Sequence, residues 1–333
     1  MDFHLDDDQL ALQNHVGRFC RSRWPLERIG ERRGDALDRA AWSELAELGV
    51  IAATVPEAGG GLGLGFVEGA VVFEQLGRHV VPGPLLWSAL AAHVIPEVAR
   101  GAWIAGGTED DGASPRFVEH GSEVDTLVVL RADGVARIDR DRIPEGETGD
   151  ALDPQSRVAV FASLPPGTPV GDAAAAAKLR HVGRLLAAAL QLGIADAALG
   201  VAVAYSLERK QFGVPIGSFQ ALKHIMADMY VRVGLARSAT WAAAAVLDDP
   251  EVGDADRCIR AAKLLAGEAA VENARASIQV LGGMGFTWEM APHFLLKRAL
   301  VLDQCFGTPA SHALAVGAAL ADEVAGKHAG VFG

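Results

Sequence analysis

The sequence predicts a mainly α-helical protein with a small β domain in the middle of the chain. Long Ala-rich runs carry apolar residues three and four positions apart, the spacing of amphipathic helices. Aromatic residues make up only 6% of the 333 residues, which favours tightly packed helices over a β-sandwich. Between about 98 and 172, Gly, Asp and Pro become frequent and short β-prone runs appear. We therefore expect an N-terminal helical domain (1–97), a reduced middle β domain (98–172) and a C-terminal four-helix-type bundle (173–333).

The net charge and the cysteine content indicate which binding partners and which cellular compartment are expected. Lys and Arg number 30 against 42 Asp and Glu, a formal net charge of -12, which argues against nucleic-acid binding. The three cysteines are far apart and show no zinc-ligand spacing, so a reducing cytoplasm fits best. The N-terminus lacks the pattern of a signal peptide, and charged residues interrupt the Ala-rich runs. We expect a cytoplasmic protein with no membrane span and no resident metal.

The N-terminal region reads as helices around one Gly-rich turn. Apolar stripes predict helices near 10–19 and 42–50, with Asp38 as the N-cap of the second. Residues 59–65 contain five glycines in seven positions but lack the Lys-Ser/Thr of a phosphate-binding loop, and they follow no strand. We expect a turn that packs backbone closely rather than a phosphate site.

The middle region predicts three short strands, at 125–130, 135–138 and 157–162. No catalytic constellation stands out there. The scattered acids Asp139, Asp141 and Asp153 are expected to be solvated rather than metal ligands.

The C-terminal region predicts long helices joined by short links. High helix propensity covers 173–209, an apolar face runs through the helix at 218–247, and a third helix covers about 254–280. A helix near 290–304 and a last one after Gly307 and Thr308 complete an antiparallel bundle.

Polar side chains and glycines gather at the ends of these helices, in 209–220, 279–286 and 305–311. Gly282 and Gly283 permit close backbone approach, and backbone N–H groups at a helix start favour an anion such as pyrophosphate. Arg209 adds charge, and the amides of Gln220 and Gln279 suit phosphate or ribose. The alternative for 209–220 is a helix corner with Phe212 and Phe219 as core plugs.

Taken together, these stretches resemble the acyl-CoA dehydrogenase family along almost the whole chain. W-x-x-L-A-x-L-G at 42–49, V-P-E-x-G-G at 55–60 and E-x-L-G-R at 74–78 are similar to its first domain. R-K-Q-F-G-x-P-I-x-x-F-Q at 209–220 and Q-V-L-G-G-M-G-F at 279–286 resemble its FAD signatures. The resemblance implies an FAD shared across a subunit interface, with the C-terminal bundle of one subunit holding the ADP half. The implied FAD contacts are Arg209, Gln211, Phe212, Gln220, Gln279, Gly282, Gly283 and Thr308.

Two departures from the family bear on catalysis. The family's proton-abstracting Glu falls on Phe306, and the alternative position of that Glu falls at or near Gly183, so neither carries a carboxylate. Asp303 and Asp196 are the remaining nearby acids, either of which could instead be a helix-surface charge. The middle domain also lacks the family's Thr-Glu-Pro-x-Ala-Gly-Ser-Asp type element, because 106–114 has similar letters without the order.

The chain therefore resembles the short, base-less subunit of actinobacterial heteromeric (α2β2) acyl-CoA dehydrogenases. The resemblance implies a longer paralogous partner that supplies the base, an acyl-CoA substrate with a steroid side chain or another bulky acyl group, and a role in cholesterol catabolism. The alternatives are an active homo-oligomer whose base is Asp303 or Asp196, and a non-catalytic binding or assembly subunit. We expect His293, in an actinobacterial-looking segment, to be a packed helix residue.

Overall fold

A computed structural model of the chain describes residues 4–32, 37–110, 112, 115–149 and 151–329, with side chains up to 321 and at 323. The N-terminal part contains α1 (Asp7–Arg23), α2 (Arg39–Glu47), α3 (Phe66–Arg78), α4 (Leu85–Ala92) and α5 (Pro96–Ala99). A capping box opens α1, because Asp6 accepts from the backbone N–H of Gln9 at 2.8 Å and the Gln9 side chain accepts in return at 3.1 Å. Asp38 caps α2 as predicted.

Backbone hydrogen bonds fold the Gly-rich segment onto the preceding turn. Leu62 N–H donates to Ala52 O at 3.1 Å, and Gly63 N–H donates to Val55 O at 2.8 Å. A Cβ on Gly61 would lie 2.2 Å from Val55 O, so a larger residue does not fit there. The prediction of a closely packed turn is confirmed.

Two small sheets form the middle of the chain. One has the order β1 (Ala105–Glu109), β3 (Thr126–Leu130), β4 (Gly134–Asp139) and β7 (Thr168–Asp172), with β1 and β3 parallel and the other pairs antiparallel. The other is antiparallel, with the order β2 (Arg116–Glu119), β6 (Val158–Phe161) and β5 (Glu147–Gly149). The three predicted strands correspond to β3, β4 and β6. The Gly-rich β1 was not predicted from its sequence because its residues have low β propensity.

The C-terminal part is a helical bundle of α6 (Ala173–Glu208), α7 (Gln220–Asp248), α8 (Ala255–Leu281), α9 (Pro292–Gln304) and α10 (Pro309–Ala329). Between α6 and α7 lies a short β-hairpin whose strands have two residues each, β8 (Lys210–Gln211) and β9 (Val214–Pro215). Short links make α6, α7 and α8 alternate in direction, so α6 and α8 end at the same end of the bundle. Since α9 turns back from that end, α9 and the start of α10 lie near the N-terminal half of α6.

The centre of α6 is the core of the molecule. It packs on α3 of the N-terminal part and on α7 and α8 of the bundle. At 36 residues, α6 is long and apolar enough to cross a membrane, contrary to the expectation from its charges, but 72% of its most apolar window is buried inside the fold. Burial in the bundle accounts for its composition. The proposed domain limits at 97/98 and 172/173 stay predictions.

Candidate active site

The two positions at which a catalytic carboxylate was sought meet in space. Phe306 follows α9 with a left-handed backbone (φ 59°) and is only 4% exposed. A Cβ added to Gly183 on α6 would lie 2.7 Å from two atoms of the Phe306 ring. The ring also contacts Trp87 of α4, with the ring centroids 5.1 Å apart and the ring planes inclined at 37°. An aromatic ring, which accepts no proton, therefore fills the location that both positions share.

Arg184 fixes the backbone of Phe306, whose ring fills this location. Its Nε donates to the backbone carbonyl of Phe306 at 3.2 Å, and its side chain is 13% exposed. Asp256 lies 3.5 Å from the Arg184 guanidinium. The sequence reasoning missed Arg184, although it directly follows Gly183, and missed Trp87, for which the sequence carries no signal.

A cavity of about 580 Å³ opens in front of Phe306, between α4, the strands β1, β2 and β6, and the end of α9. Trp87 and Phe306 form part of its wall, and Phe117 lines it while remaining 64% exposed. Thr108 and Glu109 of β1 also line it. A largely apolar cavity of this size can hold a small organic ligand.

The charged groups beside the cavity are paired. Arg180 Nε donates to Glu109 at 2.9 Å. Arg298 forms a buried ion pair with Asp153, which is fully buried. The prediction that Asp153 is solvated is therefore wrong, because α9 brings a guanidinium to it. Burial raises the pKa of the Cys305 thiol to about 11, so this cavity-lining group is neutral at pH 7.

Neither alternative acid lines the cavity. Asp303 points into the bundle, where Gln191 Nε2 donates to it at 3.3 Å and Lys263 Nζ lies 4.0 Å away. Asp196 pairs with Arg78 and lies 3.7 Å from Arg237. Because each carboxylate faces cations away from the cavity, the geometry does not favour either as the base.

The Arg209–Gln220 segment projects from the end of the bundle. Arg209 is the C-cap of α6, and its carbonyl accepts from Ile216 N–H at 2.8 Å, which closes the hairpin. Phe212 sits at the hairpin tip with φ 53° and is 92% exposed, and Phe219 contacts its ring edge-on with the centroids 6.2 Å apart. The core-plug alternative is therefore wrong for Phe212. Arg209, Gln211 and Gln220 are exposed too.

The second signature lies at the same end, where α8 finishes. Gln279, Gly282 and Gly283 are exposed, and a Cβ on either glycine would meet nothing within 4 Å. Gly282 has φ 60°, a conformation that favours glycine. Phe286 and Trp288 beside them are 69% and 45% exposed, and the sequence reasoning did not assign either to the site.

Thr308 does not join this group. It lies beside Phe306 at the start of α10, where its hydroxyl oxygen accepts from Ser311 N–H at 3.2 Å. Since Phe306 contacts Gly183, and 25 helical residues separate Gly183 from the end of α6, the two groups lie roughly 40 Å apart. Within one protomer the predicted contacts thus form two separate places.

His293 is a packed residue, as predicted. It is 3% exposed, its Nε2 lies 3.0 Å from the carbonyl oxygen of Thr287, and its ring packs on Phe294. Burial, reinforced by Lys297, lowers its pKa.

Comparisons with known proteins place this arrangement in a family. Residues 6–101 match the acyl-CoA dehydrogenase N-terminal domain, and residues 172–321 match the acyl-CoA dehydrogenase C-terminal domain. The chain belongs to the acyl-CoA dehydrogenase family, whose members are oxidoreductases.

Among its relatives, acyl-CoA dehydrogenase IpdE2 of Mycolicibacterium smegmatis is 36% identical over 280 residues, covering 82% of this chain and 85% of that protein. The fold is also similar to the ChsE4-ChsE5 complex from Mycobacterium tuberculosis (TM-score 0.81, 24% identity, 96% of this chain and 99% of that chain). It is likewise similar to the Tcur3481-Tcur3483 steroid ACAD (TM-score 0.83, 24% identity, 96% and 99%). At these identities the two structures show the fold alone.

Proposed function

We propose that this chain is one subunit of an FAD-dependent acyl-CoA dehydrogenase in which a longer paralogous subunit supplies the catalytic base. The observation that carries the proposal is the contact of Phe306 with Gly183, because both positions for the base lack a carboxylate. Asp303 and Asp196 face away from the cavity and do not replace it.

The exposed end of the bundle would hold the ADP half of the flavin. There, Arg209 offers charge, Gln220 and Gln279 offer amides, and Gly282 and Gly283 leave the backbone open to a pyrophosphate. These groups fit an anionic ligand that approaches from outside the protomer. Gln211 and Phe212 of the hairpin would contact the same ligand.

The separation of the two groups supports a flavin shared between subunits. A span of roughly 40 Å is far longer than a dinucleotide, so one FAD cannot touch both Arg209 and Thr308 of one protomer. A flavin held at the bundle end would extend its ring into the partner. Thr308 would contact a flavin only beside the Phe306 cavity. An α2β2 heterotetramer accommodates this sharing.

The exposed apolar residues at the bundle end favour such an assembly. Leu207, Phe212 and Phe286 are 67%, 92% and 69% exposed, and exposed apolar clusters mark interaction sites. The names of the similar proteins, a complex of two chains and a steroid ACAD, point the same way. We accordingly infer a heteromeric enzyme of cholesterol or other steroid side-chain breakdown in the cytoplasm.

In this division of labour the partner's carboxylate would take the α-proton of a CoA thioester. Bound FAD accepts the hydride from the β-carbon in such a reaction. This chain would hold the nucleotide end of the cofactor and place the Phe306 ring, rather than a carboxylate, at the position of the base.

Expression of the chain alone and with a longer paralogue tests the proposal. We expect FAD and acyl-CoA oxidation only in the co-purified complex. A chain that purifies alone as a homo-oligomer with stoichiometric FAD and oxidises acyl-CoA would refute the heteromeric assignment. Asp303→Asn and Asp196→Asn then decide whether either acid is the base.

The pocket assignment has its own test in the complex. Arg209→Ala should lower the FAD content measured from the flavin absorbance. The matched control is Arg28→Ala, because Arg28 is exposed and pairs only locally with Glu31. Equal FAD content in both variants would remove Arg209 from the site.

A further inference from the structure

A second large cavity lies away from both places discussed above. It is a cleft of about 830 Å³ between α1, α3, α6 and α7. It shares no lining residue with the cavity in front of Phe306, and it includes none of the predicted FAD contacts. Its composition therefore calls for a separate explanation.

The cleft is basic in an acidic protein. Four arginines line it, against two carboxylates, which leaves an excess of 4 − 2 = 2 positive charges in a chain of net charge -12. Both carboxylates are in ion pairs with two of these arginines: Asp196 pairs with Arg78, and Glu74 accepts from Arg237 at 2.9 Å. The other two lining arginines belong to α1 and form no ion pair with the described residues. They are Arg18 and Arg21.

Two unpartnered polar atoms lie among the groups that line the cleft. Trp241 Nε1 is a buried donor, and Oε2 of the almost fully buried Glu74 (2% exposed) is a buried acceptor; neither has a hydrogen-bond partner among the described residues. Buried polar groups are rarely left unpaired in native proteins. A ligand that carries both an acceptor and a hydroxyl or amino donor would satisfy both atoms.

The electrostatics of Arg78 point to an anion. Burial lowers the pKa of Arg78; Glu74 opposes this, while the like charges of Arg21 and Arg237 add to it. The like charges of Arg21 and Arg237 thus oppose the positive charge of Arg78. A dianion placed among them would remove this repulsion.

We propose that the cleft binds a small phosphomonoester whose body carries hydroxyl or amino groups. A phosphomonoester carries a charge of roughly −1.5 to −2 at pH 7, which matches the excess of two, and guanidiniums pair with phosphate bidentately. The cleft is larger than a phosphate group alone, so it has room for the body. A small ligand is favoured over an acidic protein segment because it offers single hydroxyl or amino groups to the otherwise unpaired atoms of Trp241 and Glu74. The proposal is independent of the role in acyl-CoA dehydrogenation.

Calorimetric titration of the purified protein, with its partner if it requires one, tests this site. The probes are ribose 5-phosphate, inorganic phosphate and uncharged ribose, at one ionic strength fixed with sodium chloride. We expect saturable binding of ribose 5-phosphate, weaker binding of inorganic phosphate and none of ribose. Arg18→Gln and Arg21→Gln should each raise the Kd of ribose 5-phosphate about tenfold or more, since a hydrogen bond to a charged group is lost. Trp241→Phe should weaken the sugar phosphate more than inorganic phosphate.

Two controls separate this site from general charge and from the flavin site. Arg100→Gln removes an exposed arginine outside the cleft, and Arg209→Ala removes the cation at the bundle end; both should leave the Kd unchanged. No saturable binding, or equal binding by wild type and the α1 variants, overturns the proposal. Loss of binding in Arg209→Ala assigns the phosphate to the flavin site and overturns it as well. An acidic hexapeptide that binds through Arg18 and Arg21 while ribose 5-phosphate does not would make the cleft a protein-docking site instead.

Discussion

Replacing one glycine in α6 tests whether the two base positions meet. Gly183→Ala and Gly200→Ala make the same chemical change in the same helix, but their surroundings differ. A Cβ at 183 would lie 2.7 Å from the Phe306 ring, whereas a Cβ at 200 would meet nothing within 4 Å. Real Cβ contacts are essentially never shorter than 3.0 Å, so the ring or the helix must shift only in the first variant.

The expected effects follow from two opposing contributions. Alanine in place of glycine inside a helix stabilises by about 0.8–1 kcal/mol, and Gly200→Ala should show this gain. At Gly183 the same gain is set against an overpacking cost of about 1–3 kcal/mol. The free energy of unfolding should therefore fall by about 0–2 kcal/mol. In a Phe306→Ala background the obstruction is gone, and Gly183→Ala should stabilise as Gly200→Ala does.

Urea unfolding followed by circular dichroism measures all of these variants, and a double-mutant cycle isolates the contact. The coupling free energy between positions 183 and 306 should be about 1–3 kcal/mol, as expected for residues in direct contact. If Gly183→Ala stabilises as much as Gly200→Ala with Phe306 present, the two base positions do not meet and the reasoning is refuted.

Three further variants probe the packing and the pH response. Asp248→Ala removes the carboxylate that accepts from two backbone N–H groups at the start of α3, and it should cost about 1 kcal/mol in urea unfolding; Asp248→Asn, which keeps an acceptor, should cost less. Asp153→Ala leaves the buried guanidinium of Arg298 unpaired and should cost roughly 3–5 kcal/mol, while a cost below 1 kcal/mol would contradict a buried pair. Burial lowers the pKa of His312 to about 4 in the folded protein. Between about pH 4 and pH 6.5, His312 is therefore protonated in the unfolded chain but neutral in the folded chain. Stability from this group is present above about pH 6.5 and is lost as the pH falls towards 4, by up to about 3 kcal/mol. Thermal unfolding as a function of pH should show a flatter profile for His312→Gln, and identical profiles would exclude this assignment.

Local patterns in the chain were sufficient for most of the fold. Apolar spacing predicted the long helices, and runs of β-branched residues predicted β3, β4 and β6. β1 escaped prediction because its Ala-Gly-Gly-Thr-Glu sequence has little strand preference of its own, and pairing with β3 makes it a strand. The outer face of α7 was missed for a related reason: Tyr230, Val231 and Leu235 are 70%, 57% and 56% exposed, and periodicity reports a buried face without excluding a second apolar one.

Some features of the candidate site could also be predicted from the sequence, and others could not. The exposed hairpin at Arg209 and the open glycines at 282–283 follow from local breaks in helical pattern, so a sequence can show them. The amino-acid sequence was enough to show the family resemblance and the missing carboxylates, and to predict which residues would face an anion. The distance of roughly 40 Å between Thr308 and Arg209 within one protomer could not be predicted, because chain order says nothing about which end of a bundle a residue occupies.

Tertiary structure alone decided which distant residues meet. Arg184 and Phe306 are 122 positions apart, and Asp153 and Arg298 are 145 apart. The first contact holds the Phe306 ring at the position of the missing base. The second buries Asp153, which was expected to be solvated, in an ion pair with Arg298. Secondary structure depends on short-range spacing that a sequence displays directly. Contacts such as these depend on how whole helices pack and on the shapes of the side chains between them, and only the folded chain contains that information.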